Sequence, residues 1–449
     1  MGNRSSLQSI RGTCVVAVSA CLVLSGCADS MPTIPKFSSL NPFATKEVPL
    51  AGKRVAILEE SSKLQADLAP ANQPVTLPPQ QANTDWTQPG GNATNAPGHL
   101  ALGAGLKRAW SADAGDGTSS RGRLTASPIT YNGRVYTLDI SSRVSAYSMS
   151  GGAAAWRVKL APENEHGYEG FGGGIAADGG RLYVATGFGS VYALDPNTGK
   201  QIWQKKIGEP VRASVTAVAD RVYVPTTGGR LVALSGVDGN ELWQYRGLPE
   251  ETSISSNPSP AVSGDVVVVP YASGELVALN ASSGQPLWVE ALSRTRTSSA
   301  MGTLNNVARP AIADGIVYAV GNSGRIIAVR LQSGERLWSA DVSGNQMPWV
   351  AGNNLFVVDT GGQLLALDRQ SGQVLWTTKL KGSNTWSGPV LAGGALWVVS
   401  STGDLVSVDA SVGKTIGSTK IGSAAYIAPI VAQGRVFVLA DNANLVALN

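Results

Sequence analysis

The chain has 449 residues, of which 43% are hydrophobic and only 15% are charged. This low charged fraction argues against a coiled coil or a long helical array, because both need charged outer faces. The formal net charge is +4 and basic residues are scattered, which argues against a nucleic-acid-binding surface. The length permits either three average domains or one large closed β architecture.

The N-terminus has the pattern of a secretory signal peptide. Arg4 and Arg11 precede an apolar run over residues 15–24, which is too short to span a membrane comfortably. The run ends in Leu-Ser-Gly-Cys at Cys27, and this resembles the lipobox of bacterial lipoproteins. The resemblance implies that residues 1–26 are removed and that Cys27 receives diacylglycerol and a fatty acid such as palmitate. Because Ala28 rather than Asp follows Cys27, it also implies the outer membrane.

Residues 27–100 differ in composition from the rest of the chain. They are rich in proline and show no sustained periodicity, so we predict a disordered, flexible lipoprotein tether. The apolar stretch 48–58 is either a short partner-binding motif or spacer sequence.

A repeat begins after the tether. Its common phrase has an alanine, a glycine six residues later and a tryptophan ten residues later, as in Ala193, Gly199 and Trp203. Eight copies of about 43 residues have the length of four-stranded propeller blades. The last copy stops at Asn449 before its tryptophan, while the strand around Trp110 has no repeat before it. We therefore predict an all-β fold for residues 101–449, an eight-bladed β-propeller of four-stranded antiparallel blades, closed by pairing of the Trp110 strand with the C-terminal blade.

The repeated tryptophans have a structural interpretation. A large indole between blades buries a wide apolar area, and its N–H needs an acceptor such as a backbone carbonyl of the next blade. This arrangement resembles the tryptophan-docking motif of quinoprotein-type eight-bladed propellers. The residues assigned to this role are Trp110, Trp156, Trp203, Trp243, Trp288, Trp338 and Trp376. In the seventh copy, Gly417 stands where the tryptophan is expected.

The sequence offers little catalytic chemistry. Quinoprotein alcohol dehydrogenases stack their quinone on two adjacent cysteines, whereas no cysteine follows Cys27 in this chain. His166 has carboxylates nearby, but a zinc site usually needs more nitrogen or sulfur ligands, so we interpret it as part of a surface loop. His99 has no partner in sequence. We expect no catalytic residue, no metal and no cofactor, and hence no enzyme.

The connections between successive blades indicate where a partner binds. Most turns are short and alike, but two long connections flank the fourth complete repeat, and insertions on one face of a repeat protein suggest the binding face. Their mixture of polar residues and isolated apolar ones is typical of a protein interface. The candidate partner-binding residues are Ile254, Ser255, Arg294, Arg296, Asn305 and Asn306.

Together, the lipobox, the tether and a quinoprotein-like propeller without quinone ligands resemble the BamB family. The resemblance implies a non-catalytic scaffold lipoprotein of the outer-membrane β-barrel assembly (BAM) complex, anchored by lipid and facing the periplasm of a Gram-negative bacterium. Its implied partners are POTRA domains of BamA, other BAM lipoproteins and unfolded outer-membrane proteins, with no nucleic acid. An apolar-x-apolar-Arg segment of the family aligns with residues 252–255 and keeps only Ile254, and an acidic pair aligns with Asn305 and Asn306.

Two alternatives stay open at this point. One is a lipid-anchored periplasmic propeller that binds a small ligand or a cell-wall component. The other is a quinoprotein-type dehydrogenase.

Overall fold

The computed structural model describes residues 74–103, 105–247, 258–292 and 307–449. These residues form eight four-stranded antiparallel sheets and one short 3-10 helix, Gly167–Gly170. The eight-bladed propeller predicted from the repeat is therefore confirmed. Each blade has strands A to D, counted from the axis outward, and each outer strand D leads to the inner strand A of the next blade.

The strands follow one another in the same order in each of the first four blades. Blade 1 contains β2 (Ile129–Tyr131), β3 (Arg134–Leu138), β4 (Arg143–Ser148) and β5 (Ala154–Lys159). Blade 2 contains β6 (Gly173–Asp178), β7 (Arg181–Thr186), β8 (Ser190–Leu194) and β9 (Gln201–Lys206). Blade 3 contains β10 (Thr216–Val218), β11 (Arg221–Pro225), β12 (Arg230–Ser235) and β13 (Glu241–Arg246). Blade 4 contains β14 (Ala261–Ser263), β15 (Val266–Pro270), β16 (Glu275–Asn280) and β17 (Pro286–Ala291).

The other four blades repeat this order, except that blade 8 takes one strand from the N-terminal side. Blade 5 contains β18 (Ala311–Ala313), β19 (Ile316–Gly321), β20 (Arg325–Arg330) and β21 (Arg336–Ala340). Blade 6 contains β22 (Trp349–Ala351), β23 (Asn354–Val358), β24 (Gln363–Asp368) and β25 (Val374–Lys379). Blade 7 contains β26 (Trp386–Ala392), β27 (Ala395–Ser400), β28 (Asp404–Asp409) and β29 (Thr415–Lys420). Blade 8 contains β30 (Ile430–Ala432), β31 (Arg435–Leu439), β32 (Asn444–Leu448) and β1 (Arg108–Asp113).

The ring is closed by β1, which comes from the start of the propeller and completes its last blade. Trp110 of β1 stands opposite Ala447 of β32, and Asp113 opposite Asn444. Beyond the strand ends, the backbones of Lys107 and Asn449 exchange two hydrogen bonds of 2.9 and 3.0 Å. This pairing leaves no blade incomplete, so the closed ring has no long unpaired edge between its first and last repeats.

Seven tryptophans connect each blade to the next in the same way. The indole Nε1 of each donates to a backbone carbonyl in the C–D turn of the following blade, at 2.7 to 3.2 Å. The donor and acceptor pairs are Trp110 and Met149, Trp156 and Pro196, Trp203 and Gly236, Trp243 and Ala281, Trp288 and Leu331, Trp338 and Arg369, and Trp376 and Ala410.

The conserved spacing of glycine in the repeat follows from this contact. Gly199, in the C–D turn of blade 2, has φ +72°, and a methyl group there would lie 2.6 Å from the ring of Trp156. Any larger residue would strain the backbone and displace the indole. In blades 1, 2 and 3 a strand-B tyrosine donates to the same carbonyl as the tryptophan, as Tyr183 does to Gly236.

Blade 7 lacks the docking tryptophan, and the reason lies in the structure of blade 8. A tryptophan at Gly417 would face the C–D turn of blade 8, but strands β32 and β1 of that blade are not joined by a turn. The docking glycine and carbonyl are therefore missing. Trp397 of β27 is the aromatic residue here, and its Nε1 donates to Ala392 within its own blade.

The docking contact predicts a large loss of stability when one indole is removed. Trp203→Ala should lower the free energy of unfolding by about 3–5 kcal/mol, because it leaves a cavity between blades 2 and 3 and removes one of the two hydrogen bonds to Gly236 O. Ile202→Ala is the matched control, since the Ile202 side chain precedes Trp203 on β9 and is exposed. Denaturant unfolding of both variants measures the difference. Equal unfolding midpoints for the two variants would contradict the docking role.

Candidate functional site

Most of the partner-binding residues expected from the sequence lie in two connections between blades. Ile254 and Ser255 fall in the D–A connection from β13 to β14, and the other four fall in that from β17 to β18. These six residues lie outside the described residues, as does Cys27. Since strands alternate in direction, both connections leave the propeller on one face, which we call the loop face. The A–B and C–D turns lie on the opposite face, the turn face.

The structure reveals a different feature on the propeller axis. Residues 74–103, which we call the axial segment, run along the inner strands and contact every blade. The flexible tether predicted for residues 27–100 is therefore wrong for residues 74–100. The prediction failed because this segment makes separate contacts with many blades, and such contacts leave no periodic pattern in its sequence.

The axial segment pairs with the inner edges of the A strands. Without it, the backbone N–H groups on those edges would be buried without acceptors. In four blades a strand-A N–H donates to a carbonyl of the segment at 2.7 to 2.9 Å. The pairs are Thr130 and Trp86, Ala177 and Thr87, Val262 and Ala93, and Ile312 and Thr94.

The segment also forms hydrogen bonds with blades 6, 7 and 8. Leu100 donates its N–H to Leu391 O and accepts from Gly393 N, both in blade 7. Asn83 O accepts from Gln433 N, and the Asn83 amide donates to Val431 O at 2.7 Å, both in blade 8. In blade 6, Trp349 Nε1 donates to Gly98 O at 2.9 Å.

An indole of the segment spans the channel. The backbone of Trp86 pairs with Thr130 of blade 1, while its ring stacks on Trp349 of blade 6 with centroids 6.1 Å apart and planes 24° apart. Trp86 is 2% exposed. The aromatic pair therefore occupies the axis at the level of these A strands.

Two buried amide side chains of the axial segment make further polar contacts with the blades. Gln88, 2% exposed, donates through Nε2 to Ala177 O and Ala217 O at 3.1 and 2.7 Å, and its Oε1 accepts from Ala217 N at 3.0 Å. Asn95 donates to Pro310 O at 2.9 Å. Gln88 thus bridges blades 2 and 3, because its side-chain amide makes the hydrogen bonds that the backbone of a neighbouring strand would make.

His99 has a structural role that its position in the sequence did not indicate. It is 5% exposed, and its Nε2 accepts from Gly394 N at 2.9 Å. Because Nε2 is an acceptor, the proton lies on Nδ1, which donates to Pro78 O at 2.7 Å. His99 therefore joins two parts of the axial segment to blade 7. His166, by contrast, is exposed and stacks on Tyr168.

One charged side chain lies in the same region. Arg309 precedes β18, and its Nη1 donates to Pro89 O at 3.3 Å. Burial lowers the pKa of Arg309 to about 10, so the guanidinium still carries its proton at neutral pH. Within the described ranges, no three His, Cys, Asp or Glu side chains are grouped so that they could hold a metal ion.

With this geometry established, comparison with known proteins gives the family. The model of the outer membrane protein assembly factor BamB matches residues 140–378 and 366–449. The chain belongs to the BamB family. BamB from Moraxella catarrhalis superposes with a TM-score of 0.66 at 21% identity, over 77% of this chain and 100% of that one.

Quinoproteins share the fold. A europium-containing methanol dehydrogenase superposes with a TM-score of 0.67 at 15% identity, over 79% of this chain and 89% of that enzyme. Quinohemoprotein alcohol dehydrogenase ADH IIB of Pseudomonas putida is 32% identical over 93 residues, which are 20% of this chain and 14% of the enzyme. The structural likenesses show a common propeller fold.

The chain also matches a rickettsial protein over a short stretch. An uncharacterised protein of Rickettsia prowazekii is 29% identical over 101 residues, or 22% of this chain. The match spans only 24% of that relative's own length. Across the described parts of the chain, no helix is both long and apolar enough to cross a membrane.

The axial contacts predict the effect of removing one amide. Gln88→Ala should lower the free energy of unfolding by about 1–3 kcal/mol, because Ala217 N and two buried carbonyls lose their partner. Hydrogen exchange at the Ala217 amide should also accelerate. Gln201→Ala, at an exposed position of β9, is the control and should change neither quantity. Unchanged exchange at Ala217 in Gln88→Ala would show that the segment does not hold the inner strands.

Proposed function

We propose that this chain is a non-catalytic scaffold lipoprotein of the outer-membrane β-barrel assembly complex. In this role it is acylated at Cys27, is held at the outer membrane and faces the periplasm. It binds BamA, works beside other BAM lipoproteins and assists the folding and insertion of outer-membrane proteins. Membership of the BamB family supports the assignment to this machinery.

The observation that carries the non-catalytic part is the filled axis. Trp86, Gln88 and Asn95 occupy the space between the inner strands, and each is held there by contacts to a different blade. A planar quinone at this level would have to displace the Trp86–Trp349 stack. The chain also has no cysteine after Cys27, so it cannot form the pair of adjacent cysteines that quinoprotein alcohol dehydrogenases use. These residues do not fit a quinone cofactor.

The long connections between blades support the choice of a partner-binding surface. The connections from β13 to β14 and from β17 to β18 flank blade 4 in the chain and contain Ile254, Ser255, Arg294, Arg296, Asn305 and Asn306. We place the contact with a POTRA domain of BamA on these two connections. Rigid blades with variable connections are a common basis for protein recognition.

A quinoprotein-type dehydrogenase is the second candidate, because the europium-containing methanol dehydrogenase shares the fold and ADH IIB shares a short stretch of sequence. A small-ligand binder is a related possibility. Among the described residues, the buried hydroxyls of Ser214 and Ser259 have no hydrogen-bond partner, and they precede strands A of blades 3 and 4. The filled axis favours the scaffold over both.

Co-purification of BamA from native outer membranes tests the proposed function. Ile254→Glu and Asn306→Lys should each reduce BamA recovery by about tenfold, which corresponds to about 1.4 kcal/mol of binding free energy. Both variants should keep the melting temperature of the parent chain. Val237→Glu, on an exposed turn of the turn face, is the control and should leave recovery unchanged. Full recovery with both loop variants would remove these connections from the interface, and absence of BamA from the parent preparation would refute the proposed function.

A further inference from the structure

The axial segment makes one complete circuit of the inner strands. Between residues 83 and 100, its contacts follow the blades in ring order, from blade 8 through blade 1 and on to blade 7. These contacts are made by Asn83 with blade 8, Trp86 with blade 1, Thr87 with blade 2, Gln88 with blade 3, Ala93 with blade 4, Thr94 with blade 5, Gly98 with blade 6 and Leu100 with blade 7.

The two ends of this circuit are joined to each other. Gln81 N donates to His99 O at 2.7 Å, and Ala101 N donates to Gln81 O at 2.8 Å, so the ends lie side by side in parallel. The His99 ring adds a third contact, because its Nδ1 donates to Pro78 O at 2.7 Å. We call these contacts among Pro78, Gln81, His99 and Ala101 the clasp. The clasp closes residues 81–99 into a circle along the inner strands.

The His99 side chain also attaches the clasp to the propeller. Its Nε2 accepts from Gly394 N, in the A–B turn of blade 7, at 2.9 Å, and the side chain is buried. An imidazole accepts a hydrogen bond only while it is neutral, since the protonated ring carries a hydrogen on both nitrogens. A protonated His99 would direct Nε2–H at the Gly394 N–H, and two buried donors would face each other without an acceptor.

Within the described ranges, no charged group packed against His99 compensates for an added proton. Residues 78–81 and the A–B turn of blade 7 carry no ionisable side chain. Behind that turn, Asp409 of β28 stands opposite Ala395 of β27. The Asp409 carboxylate accepts from Ser411 N at 2.8 Å, and no described hydrogen bond or ion pair joins it to His99.

Other charged side chains around the clasp act differently. Arg369 donates to the A–B turn of blade 6, on which Pro78 packs, and is paired with Asp314 at 2.6 Å. Asp85 belongs to the axial segment, and burial raises the pKa of its carboxyl. A raised pKa means that the folded state favours the protonated carboxyl, so acid stabilises the fold at Asp85. At His99 the effect of acid has the opposite sign.

We propose that His99 is a pH-sensitive attachment of the axial segment to blade 7. The neutral ring holds the clasp closed. When the ring takes up a proton, as an imidazole in water does near neutral pH, the contact with Gly394 is lost and the clasp opens. Because the open form binds the proton more readily than the closed form, acid shifts the equilibrium towards opening. The indole contacts between blades contain no ionisable group, so the opening is confined to the axial segment. The inference does not depend on the proposed function.

Hydrogen exchange of the full-length chain in detergent, at about pH 7.5 and about pH 5, tests this inference. Protection factors, which correct for the pH dependence of intrinsic exchange, should fall by about tenfold or more at Ala101 and Gly394 at the lower pH. Protection in β7, which does not contact the clasp, should change by less than about twofold.

Variants at the two histidines make the test specific. His99→Gln keeps a donor and an acceptor on a side chain that does not titrate, so its protection factors should be equal at the two pH values. His99→Leu removes both ring contacts, so protection at Ala101 and Gly394 should be low at both. His166→Gln is the matched control, because the His166 side chain is exposed, and it should keep the pH dependence of the parent chain.

Equal protection of Ala101 and Gly394 at both pH values in the parent chain would overturn the proposal. The same acid-dependent loss in His99→Gln would also overturn it, since another group would then be responsible. The comparison of the parent chain with His99→Gln is sufficient for this decision even where His99→Leu does not fold.

Discussion

The structure depends on one repeated contact, the indole N–H of an outer strand donated to a carbonyl in the next blade. Each blade is a small twisted sheet that contacts only its neighbours, so stability must come from the interfaces between blades. The indole buries apolar area and also fixes how one blade is oriented on the next, because its N–H must meet the C–D turn at one position. Glycine in that turn and tryptophan on the facing strand are therefore two parts of the same contact, as Gly199 and Trp156 illustrate.

The inner edges of the blades also need hydrogen-bond partners. Its A strands have no further strand on their axial side, and their N–H groups point into the channel. The axial segment supplies the missing acceptors from its backbone and from Gln88, so that the chain fills its own axis. This filling connects structure to function, since the part of the axis that Trp86 and Gln88 occupy is not available to a ligand.

The sequence allowed the propeller to be predicted because the docking contact recurs at a fixed spacing. The eight repeats of about 43 residues correspond to the eight sheets, and the strand around Trp110 completes the last one as expected. The absence of tryptophan at Gly417 was visible, but its cause was not, because it lies in the strand exchange of blade 8.

The axial segment was missed for a physical reason. Its partners lie in different blades, far away along the chain, and each contact uses a different residue type. The prolines of residues 27–100 suggested disorder, whereas Pro89 lies in a turn in which Gly91 N donates to Gln88 O at 2.8 Å. Trp86 and His99 were the available signals, since a tryptophan and a histidine are unusual in a flexible tether.

Titration of the full-length chain with pyrroloquinoline quinone and Ca²⁺ tests the central claim most directly. Because the Trp86–Trp349 stack fills the axis, we expect no saturable binding, no quenching of indole fluorescence beyond inner-filter absorption, and a spectrum equal to the sum of the components. A saturable one-to-one complex with a shifted quinone spectrum would contradict a filled axis and would restore the dehydrogenase as the leading interpretation.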